Sequence, residues 1–270
     1  MSQPPPQLST GSAGLDRILG GGVPGGRMYL VQGPPGSGKT TLGVQFLRAG
    51  VGAGEPTLFV TLSETEAELR EVAASHGWDL RGVEVCDLQP SAEAIDPGAD
   101  YTLFHPAEVE LSQTTGAIMA AARRLRPRRV VIDSLAELRL LSHDPLRYRR
   151  QVLSLKHQLG LLGCTTLFLD SLSAGEVDSH LASMAHGVLV LEQSAPAFGV
   201  LRRRLRWQKV RGLVFSEGHH DYVIRTGGWR STPAWWPGSA APSSTPSRSP
   251  AAWLASTSSW AGGPTAAPAA

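Results

Sequence analysis

The stretch Gly33-Pro-Pro-Gly-Ser-Gly-Lys-Thr40 decides the fold, because its glycine, lysine and hydroxyl residues match the pattern G-x-x-x-x-G-K-[ST]. Glycine allows a tight turn in which successive backbone N–H groups face the phosphates of a nucleotide. Lys39 would reach the β- and γ-phosphates, and the Thr40 hydroxyl would ligate Mg²⁺. The predicted nucleotide-binding residues are Gly33, Pro34, Pro35, Gly36, Ser37, Gly38, Lys39, Thr40 and Thr41.

The residues on either side of this loop predict the strand and the helix that it requires. Arg27-Met-Tyr-Leu-Val-Gln32 is apolar enough for a buried strand, and Thr41-Leu-Gly-Val-Gln-Phe-Leu47 is apolar at helical spacing. Such a helix presents the positive end of its dipole to the bound anion. A glycine-rich turn without nucleotide is the alternative, and it does not require this order of strand, loop and helix.

The composition of the 270 residues narrows the class of protein. A net charge of +2 gives no global electrostatic argument for binding nucleic acid or membrane. Only Lys39, Lys156 and Lys209 are lysines among the 25 basic residues, which indicates a GC-rich coding sequence. Cys86 and Cys164 lack metal or redox spacing. Because neither a secretory leader nor an uncharged apolar stretch of about 18 residues is present, we expect a cytoplasmic protein.

Strands and helices alternate along residues 1–228, which predicts one α/β domain. Further strands are predicted at residues 57–62, 129–133, 165–170 and 187–192, and helices at residues 66–76, 114–125 and 145–162. This alternation favours a mostly parallel central sheet flanked by helices. A C-terminal antiparallel hairpin of residues 200–210 and 213–224 would complete the sheet.

Residues 229–270 differ in composition from the rest of the chain. They contain no Asp, Glu, Lys, Phe or Tyr but five of the seven tryptophans, and we predict a disordered low-complexity tail. A frameshift is a second hypothesis. GC-rich codons for residues 229–238 and 253–264 can read LEVYPRLVAG and LAGVDELLGGGP in another frame. The latter resembles residues 14–22, so the tail would then be the remnant of a second domain similar to the first.

Two acidic residues are candidates for the chemistry beside the loop. Asp133 ends an apolar strand, which would bring its carboxylate to a metal ion; capping of the following helix is the alternative. Glu64 follows the strand at residues 57–62. We expect that strand to lie beside the strand that leads into the loop, so that Glu64 orients or deprotonates the attacking water. The alternative for Glu64 is again helix capping, within Ser63-Glu-Thr-Glu66.

Two further motifs, both within the predicted hairpin, favour structural roles. The basic run at residues 202–206 has no aromatic platform beyond Trp207, so we expect no nucleic-acid partner. His219-His-Asp221 cannot supply three ligands to one ion, because neighbouring residues on a strand point to opposite faces.

Several segments together resemble the KaiC-like branch of the RecA-type P-loop ATPases. They are STGSAGLDRILGGG (9–22), GPPGSGKTT (33–41), FVTLSETEAEL (59–69), HGWDL (76–80), RVVIDSL (129–135) and WQKVRG (207–212). The resemblance covers residues 9–228 and implies a RecA-like P-loop NTPase fold with ATP and Mg²⁺ as ligands. Members of this family assemble into rings, commonly hexamers, with nucleotide between neighbours, so it also implies a homo-oligomer.

The resemblance also implies roles for individual residues. Lys39 and Thr40 match the phosphate loop, and Asp133 matches the acid of the metal site. The family's paired glutamates correspond to Ser63 and Glu64, so this chain has only the second acid of the pair. A single glutamate would have to activate the water alone, or hydrolysis would be slow.

Two basic residues match groups that reach the γ-phosphate on a neighbouring subunit. These are Lys209 and Arg211, which would stabilise the transition state as an arginine finger does. Phe215 stands where the clock proteins have a further histidine. We therefore expect a hydrolysing ATPase in a regulatory or signalling role, with an unidentified signalling protein as partner. A Ser/Thr autokinase and a nucleotide-sensing scaffold with little turnover are the alternatives.

Overall fold

The computed structural model describes residues 6–89, 106–142, 144–171, 179–195 and 200–232. The strands are β1 Gln7–Leu8, β2 Val23–Pro24, β3 Met28–Gly33, β4 Thr57–Thr61, β5 Val83–Asp87, β6 Arg129–Asp133, β7 Thr165–Ser171, β8 Gly187–Ser194, β9 Arg202–Val210, β10 His220–Arg225 and β11 Gly228–Thr232. The helices are α1 Ala13–Ile18, α2 Lys39–Gly52, α3 Glu66–Ser75, α4 Pro106–Leu125, α5 Leu135–Ser142, α6 Pro145–Leu161 and α7 Ser179–Met184. Within these ranges no helix is both long and apolar enough to cross a membrane.

Nine strands form the central sheet, in the order β11-β10-β9-β8-β3-β7-β6-β4-β5. The six strands from β8 to β5 are parallel, and β9, β10 and β11 extend the sheet in antiparallel pairing. The predicted α/β fold, with a mostly parallel sheet and antiparallel C-terminal strands, is therefore confirmed. All the parallel strands end at one edge of the sheet, here called the carboxyl edge, and begin at the opposite amino edge.

The predicted neighbour of the loop strand is wrong. β4 does not lie beside β3, because β7 and β6 stand between them and β4 pairs with β6. Strands that are consecutive in sequence are spatial neighbours only about two-thirds of the time. Glu64 nevertheless reaches the carboxyl edge, since β4 runs parallel to β6 with Thr61 opposite Asp133.

The core lies on both faces of the sheet. β6 shows why: Val131 packs against one face with Phe46 of α2, while Val130 and Ile132 pack against the other with α4 and α6. Burying each aliphatic side chain contributes about 1.5–3 kcal/mol. Two covered faces account for the continuous apolar runs of the parallel strands, which do not alternate with polar residues.

The antiparallel extension differs from the predicted hairpin of residues 200–210 and 213–224. β10 begins only at His220, and β11 adds a strand that the sequence did not indicate. Trp229 of β11 is fully buried and stacks on Tyr222, with 4.3 Å between ring centroids. The sheet thus continues past the boundary predicted at residue 228, because a buried tryptophan anchors the last strand. Residues 233–270, with the predicted tail and its frameshift hypothesis, lie outside the described residues.

Candidate nucleotide site

The phosphate loop occupies the turn between β3 and α2. Its backbone is left-handed at Gly36 and Gly38, with φ values of 75° and 86°, a region that other residues rarely adopt. Space is a second constraint at Gly38, where a Cβ atom would lie 2.3 Å from Cδ1 of Ile224. The glycine positions of the motif are therefore required by conformation and by packing.

Lys39 is the first residue of α2 and is buried at 6% exposure. Its ammonium donates hydrogen bonds to the carbonyl oxygens of Gly33 at 2.9 Å and Pro34 at 3.0 Å. Burial lowers the pKa of Lys39, and the carboxylates of Asp133 and Asp170 act in the opposite direction. A phosphate in the loop would give this ammonium an anionic acceptor in place of neutral carbonyl groups.

Thr40 and Asp133 meet across the space between α2 and the end of β6. The Thr40 hydroxyl donates a hydrogen bond of 2.6 Å to Oδ2 of Asp133, which is 7% exposed. Burial raises the pKa of Asp133, and the Thr40 hydrogen bond and the charge of Lys39 oppose that rise. A carboxylate and a hydroxyl are the hard oxygen ligands that Mg²⁺ prefers, so the residues present fit this ion. Asp133 faces the loop, as the metal role requires.

Asp133→Asn is expected to weaken the Mg²⁺-dependent gain in ATP affinity about 10- to 100-fold, the cost of losing a bond to a charged group. The fold should survive, because the amide oxygen still accepts from Thr40 and no buried charge remains. Titration of a fluorescent ATP analogue with and without Mg²⁺ measures the effect, and a thermal melt checks the fold. The exposed Asp79→Asn is the matched control; an unchanged Mg²⁺ response in Asp133→Asn would contradict the assignment.

Glu64 follows β4 but does not cap the helix after it. The cap is Thr65, whose hydroxyl accepts from the Glu68 backbone at 3.2 Å while Glu68 Oε2 accepts from the Thr65 backbone at 2.8 Å. The turn itself is fixed by Thr61, whose hydroxyl contacts the backbone N–H and carbonyl of Glu64. The Glu64 carboxylate is thus free of the capping role that its sequence neighbours favoured.

The environment of Glu64 suits a proton acceptor. Its side chain is partly buried, and burial, followed by the negative charges of Asp133 and Glu68, raises its pKa. Within the described part of the chain its carboxylate makes no hydrogen bond. A general base is most effective when its pKa lies near the working pH, so a pKa raised from the ordinary glutamate range favours this role.

Asp170 is a residue of this edge that the sequence analysis missed. It lies near the end of β7, between the strands of the loop and of Asp133, and is fully buried. Its oxygens accept from Arg139 at 3.0 and 3.1 Å and from Gln32 Nε2 at 3.4 Å. The signal was present, since Leu-Phe-Leu-Asp-Ser at residues 167–171 repeats the pattern Val-Val-Ile-Asp-Ser at residues 130–134.

The C-terminal strands support the phosphate loop directly. The hydroxyl of Tyr222 donates a 2.8 Å hydrogen bond to the carbonyl of Ser37 within the loop. The Gln45 side chain of α2 bonds both to the backbone N–H of Trp229, at 2.8 Å, and to its carbonyl, at 3.1 Å. Assigning Trp229 to a tail by composition concealed this contact.

Lys209 and Arg211 lie at the amino edge, away from the loop of their own chain. Lys209 pairs with Val188 near the start of β8, and the Arg211 N–H donates to the carbonyl of His186 at 3.0 Å. Both side chains donate to the carbonyl of Ser183, at 3.4 and 2.8 Å. The structure therefore does not bring them to the loop, and the role implied for them requires a second subunit.

The other two sequence motifs make contacts within the antiparallel strands. Three of the four arginines of residues 202–206 pair with acids on neighbouring strands, and the three residues 219–221 contact separate partners. The contacts are Arg202 and Arg204 with Asp221, Arg206 and His219 with Glu192, and His220 with the carbonyl of Ser216. These contacts offset much of the local charge.

Comparison with known proteins places these features in one family. The family model described as "ATPase: KaiC" matches residues 8–232, which include the loop, both candidate acids, Lys209 and Arg211. A UPF0273 protein of Pyrococcus furiosus is 31% identical over 225 residues, covering 81% of this chain and 90% of the relative. One of Methanopyrus kandleri is 31% identical over 237 residues, covering 84% and 92%. One of Thermotoga maritima is 29% identical over 225 residues, covering 81% and 92%.

Proposed function

Because the chain belongs to the KaiC family of ATPases, we propose that it binds ATP with Mg²⁺ and hydrolyses it. The hydrogen bond between Thr40 and Asp133 carries the proposal, since it joins the phosphate loop to a buried carboxylate that can hold the metal. Mg²⁺ at this position would neutralise charge on the β- and γ-phosphates. The Lys39 ammonium and the N–H groups of the loop would bind the same phosphates.

Glu64 supplies the base in this mechanism. It follows the strand next to that of Asp133, at the same edge of the sheet, and it has no capping duty. The proton of the attacking water passes to the Glu64 carboxylate as oxygen bonds to the γ-phosphorus. The bond from γ-phosphorus to the bridging oxygen breaks, and ADP leaves. Partial burial of Glu64 keeps bulk water from competing for its oxygens.

A ring of identical subunits completes the proposed site. The loop lies at the carboxyl edge and the two basic residues at the amino edge, so one surface of a subunit would face a different surface of the next. Contacts of this head-to-tail kind close into rings when the rotation between subunits permits. Lys209 and Arg211 would then reach the γ-phosphate that a neighbouring subunit holds, in a homo-oligomer that is hexamer-like.

A nucleotide-sensing scaffold with little turnover is the second candidate function. Ser63 favours it, because this chain carries one glutamate where the family resemblance implies two. In that case ATP binding and assembly would be the signal to a partner protein in a regulatory pathway.

Incubation with γ-labelled ATP separates the candidates. Release of labelled phosphate supports hydrolysis, label kept on the protein indicates autophosphorylation, and ATP-dependent assembly without either supports the scaffold. Lys39→Met is expected to weaken ATP binding about 10- to 100-fold, because a charge-assisted bond is lost. Arg81→Gln, which removes an exposed positive charge far from the loop, is the control. Equal ATP affinity in Lys39→Met and the wild type would contradict the proposed loop function.

A further inference from the structure

A second concave site lies at the amino edge of the sheet, on the side opposite the phosphate loop. Its volume is about 410 Å³, and it opens where β3 and β7 begin. Helix α6 forms one wall, and the end of α7 lies beside it. Five basic side chains line it: Arg27, Lys156, His157, His186 and Arg211.

No acid neutralises this group of basic side chains within the described part of the chain. Burial lowers the pKa of Lys156, and the positive charges of Arg211 and Arg27 lower it further. The pKa of His186 is lowered in the same way, by burial and then by Arg27. Burial also lowers the pKa of Lys209, which lies beside the cavity, and the charges of Arg211 and Lys156 lower it further. The cavity therefore concentrates positive charge that an anion would relieve.

The carbonyl groups at the end of helix α7 do not neutralise these basic side chains. Lys156 donates to the carbonyl of Met184 at 2.7 Å, and the carbonyl of Ser183 receives both Lys209 and Arg211. These are the last carbonyls of α7, a helix of six residues. The end of a full helix carries only about half a negative charge, so a short one cannot balance three cations. The side chain of Arg27 makes no hydrogen bond within the described part of the chain and takes no part in these contacts.

The distribution of lysine gives a second reason to expect a phosphate at this cavity. All but three of the 25 basic residues are arginine. One lysine is Lys39 of the phosphate loop. Of the other two, Lys156 lines the cavity, and Lys209 donates to the same Ser183 carbonyl as Arg211. Lysine and arginine are not interchangeable, because the ammonium is a compact donor that can approach one phosphate oxygen closely. A chain that uses arginine at most basic positions thus has one lysine in the phosphate loop and another in the lining of the cavity.

We propose that this cavity binds an oligophosphate anion, with Lys156 and Arg27 as its ligands. Exposed Leu153 and Leu161 line the same cavity and would accommodate an organic group attached to the phosphates. The ligand is a free oligophosphate, so the proposal is independent of the proposed ring.

Inorganic triphosphate is the probe for the test, and Lys39→Met is the background, because it weakens phosphate binding by the loop. In that background, titration calorimetry is expected to show saturable binding of triphosphate. Lys156→Met should weaken this binding about 10- to 100-fold, and Arg27→Gln by a similar factor. Arg81→Gln, with the same loss of charge at an exposed site, should leave it within about twofold. Arg27 is exposed, so Arg27→Gln should fold even if Lys156→Met does not.

Weaker triphosphate binding in Lys156→Met and Arg27→Gln, with binding by Arg81→Gln unchanged, supports the proposal. If triphosphate does not bind in the Lys39→Met background, or if it binds as tightly after both cavity substitutions as before them, the proposal is wrong. The calorimetric test needs no ATP hydrolysis, so its result is separate from that of the proposed function.

Discussion

Glu64→Gln is expected to lower the rate of ATP hydrolysis about 10²- to 10⁴-fold, the usual contribution of a general base. The affinity for ATP should hardly change, because the phosphates are held by the loop and by Lys39. The amide has the shape of the carboxylate but cannot accept the proton of the attacking water. Phosphate release under single-turnover conditions measures the chemical step separately from binding.

Glu66→Gln is the matched control, since it makes the same change two residues away on an exposed, Arg70-paired side chain of α3. A comparable loss of activity in both variants would mean that it results from a disturbed start of α3 and not from the missing Glu64 carboxylate. Ser63→Glu restores the pair of acids that the family resemblance implies and is expected to raise turnover. If Glu64→Gln hydrolyses ATP as fast as the wild type, Glu64 is not the base and the scaffold gains support.

The pH dependence of turnover gives a further check on the same residue. A base acts when it is ionised, and burial and neighbouring negative charge raise the pKa of Glu64. Ionisation is therefore completed at a higher pH than for an ordinary glutamate, and the acid limb of the rate profile should be displaced upward. That limb should disappear in Glu64→Gln.

The parts of the site that depend on local sequence could be predicted, and those that depend on strand order could not. Glycine spacing and the flanking apolar runs identified the loop, because each feature belongs to one strand–turn–helix unit. Asp133 ends a strand, and any strand end of a parallel sheet reaches the same edge. Glu64 reaches the predicted edge of the sheet, but the predicted neighbour of its strand is wrong, because β4 pairs with β6 and not with β3. Pairing partners are set by long crossovers that the local pattern does not contain.

Composition is a poor guide to the structure at the end of the chain. Trp229 was grouped with a segment rich in alanine, serine and proline, yet it is buried against Tyr222, which itself bonds to the loop at Ser37. Burial of a large aromatic ring depends on which elements fold over it, and average composition carries no such information. Asp170 differs from Trp229 in this respect, because the apolar run that ends in Asp170 and Ser171 resembles the one that ends in Asp133 and Ser134 and could have indicated it.

In the proposed reaction, the two edges of the sheet would carry complementary halves of the site. Nucleotide, metal and base would lie at the carboxyl edge, whereas Lys209 and Arg211 lie at the amino edge, where both donate to the Ser183 carbonyl. A subunit alone cannot bring these halves together, since the whole length of the strands separates them. Repetition of the same chain, each carboxyl edge meeting the next amino edge, would complete every site but one in an open chain and all of them in a ring.

Arg211→Gln is therefore expected to lower ATP hydrolysis about 10³- to 10⁵-fold, as removal of an arginine finger does. Its own loop stays intact, so ATP binding by the variant should persist. An equimolar mixture with Glu64→Gln is the decisive measurement. Where a subunit with intact Glu64 meets one with intact Arg211, the site is complete; random mixing in a head-to-tail ring makes this about one site in four. The mixture should thus recover roughly a quarter of the wild-type rate, although each variant alone is nearly inactive. A mixture as inactive as its components would show that Arg211 does not act on a neighbour's nucleotide.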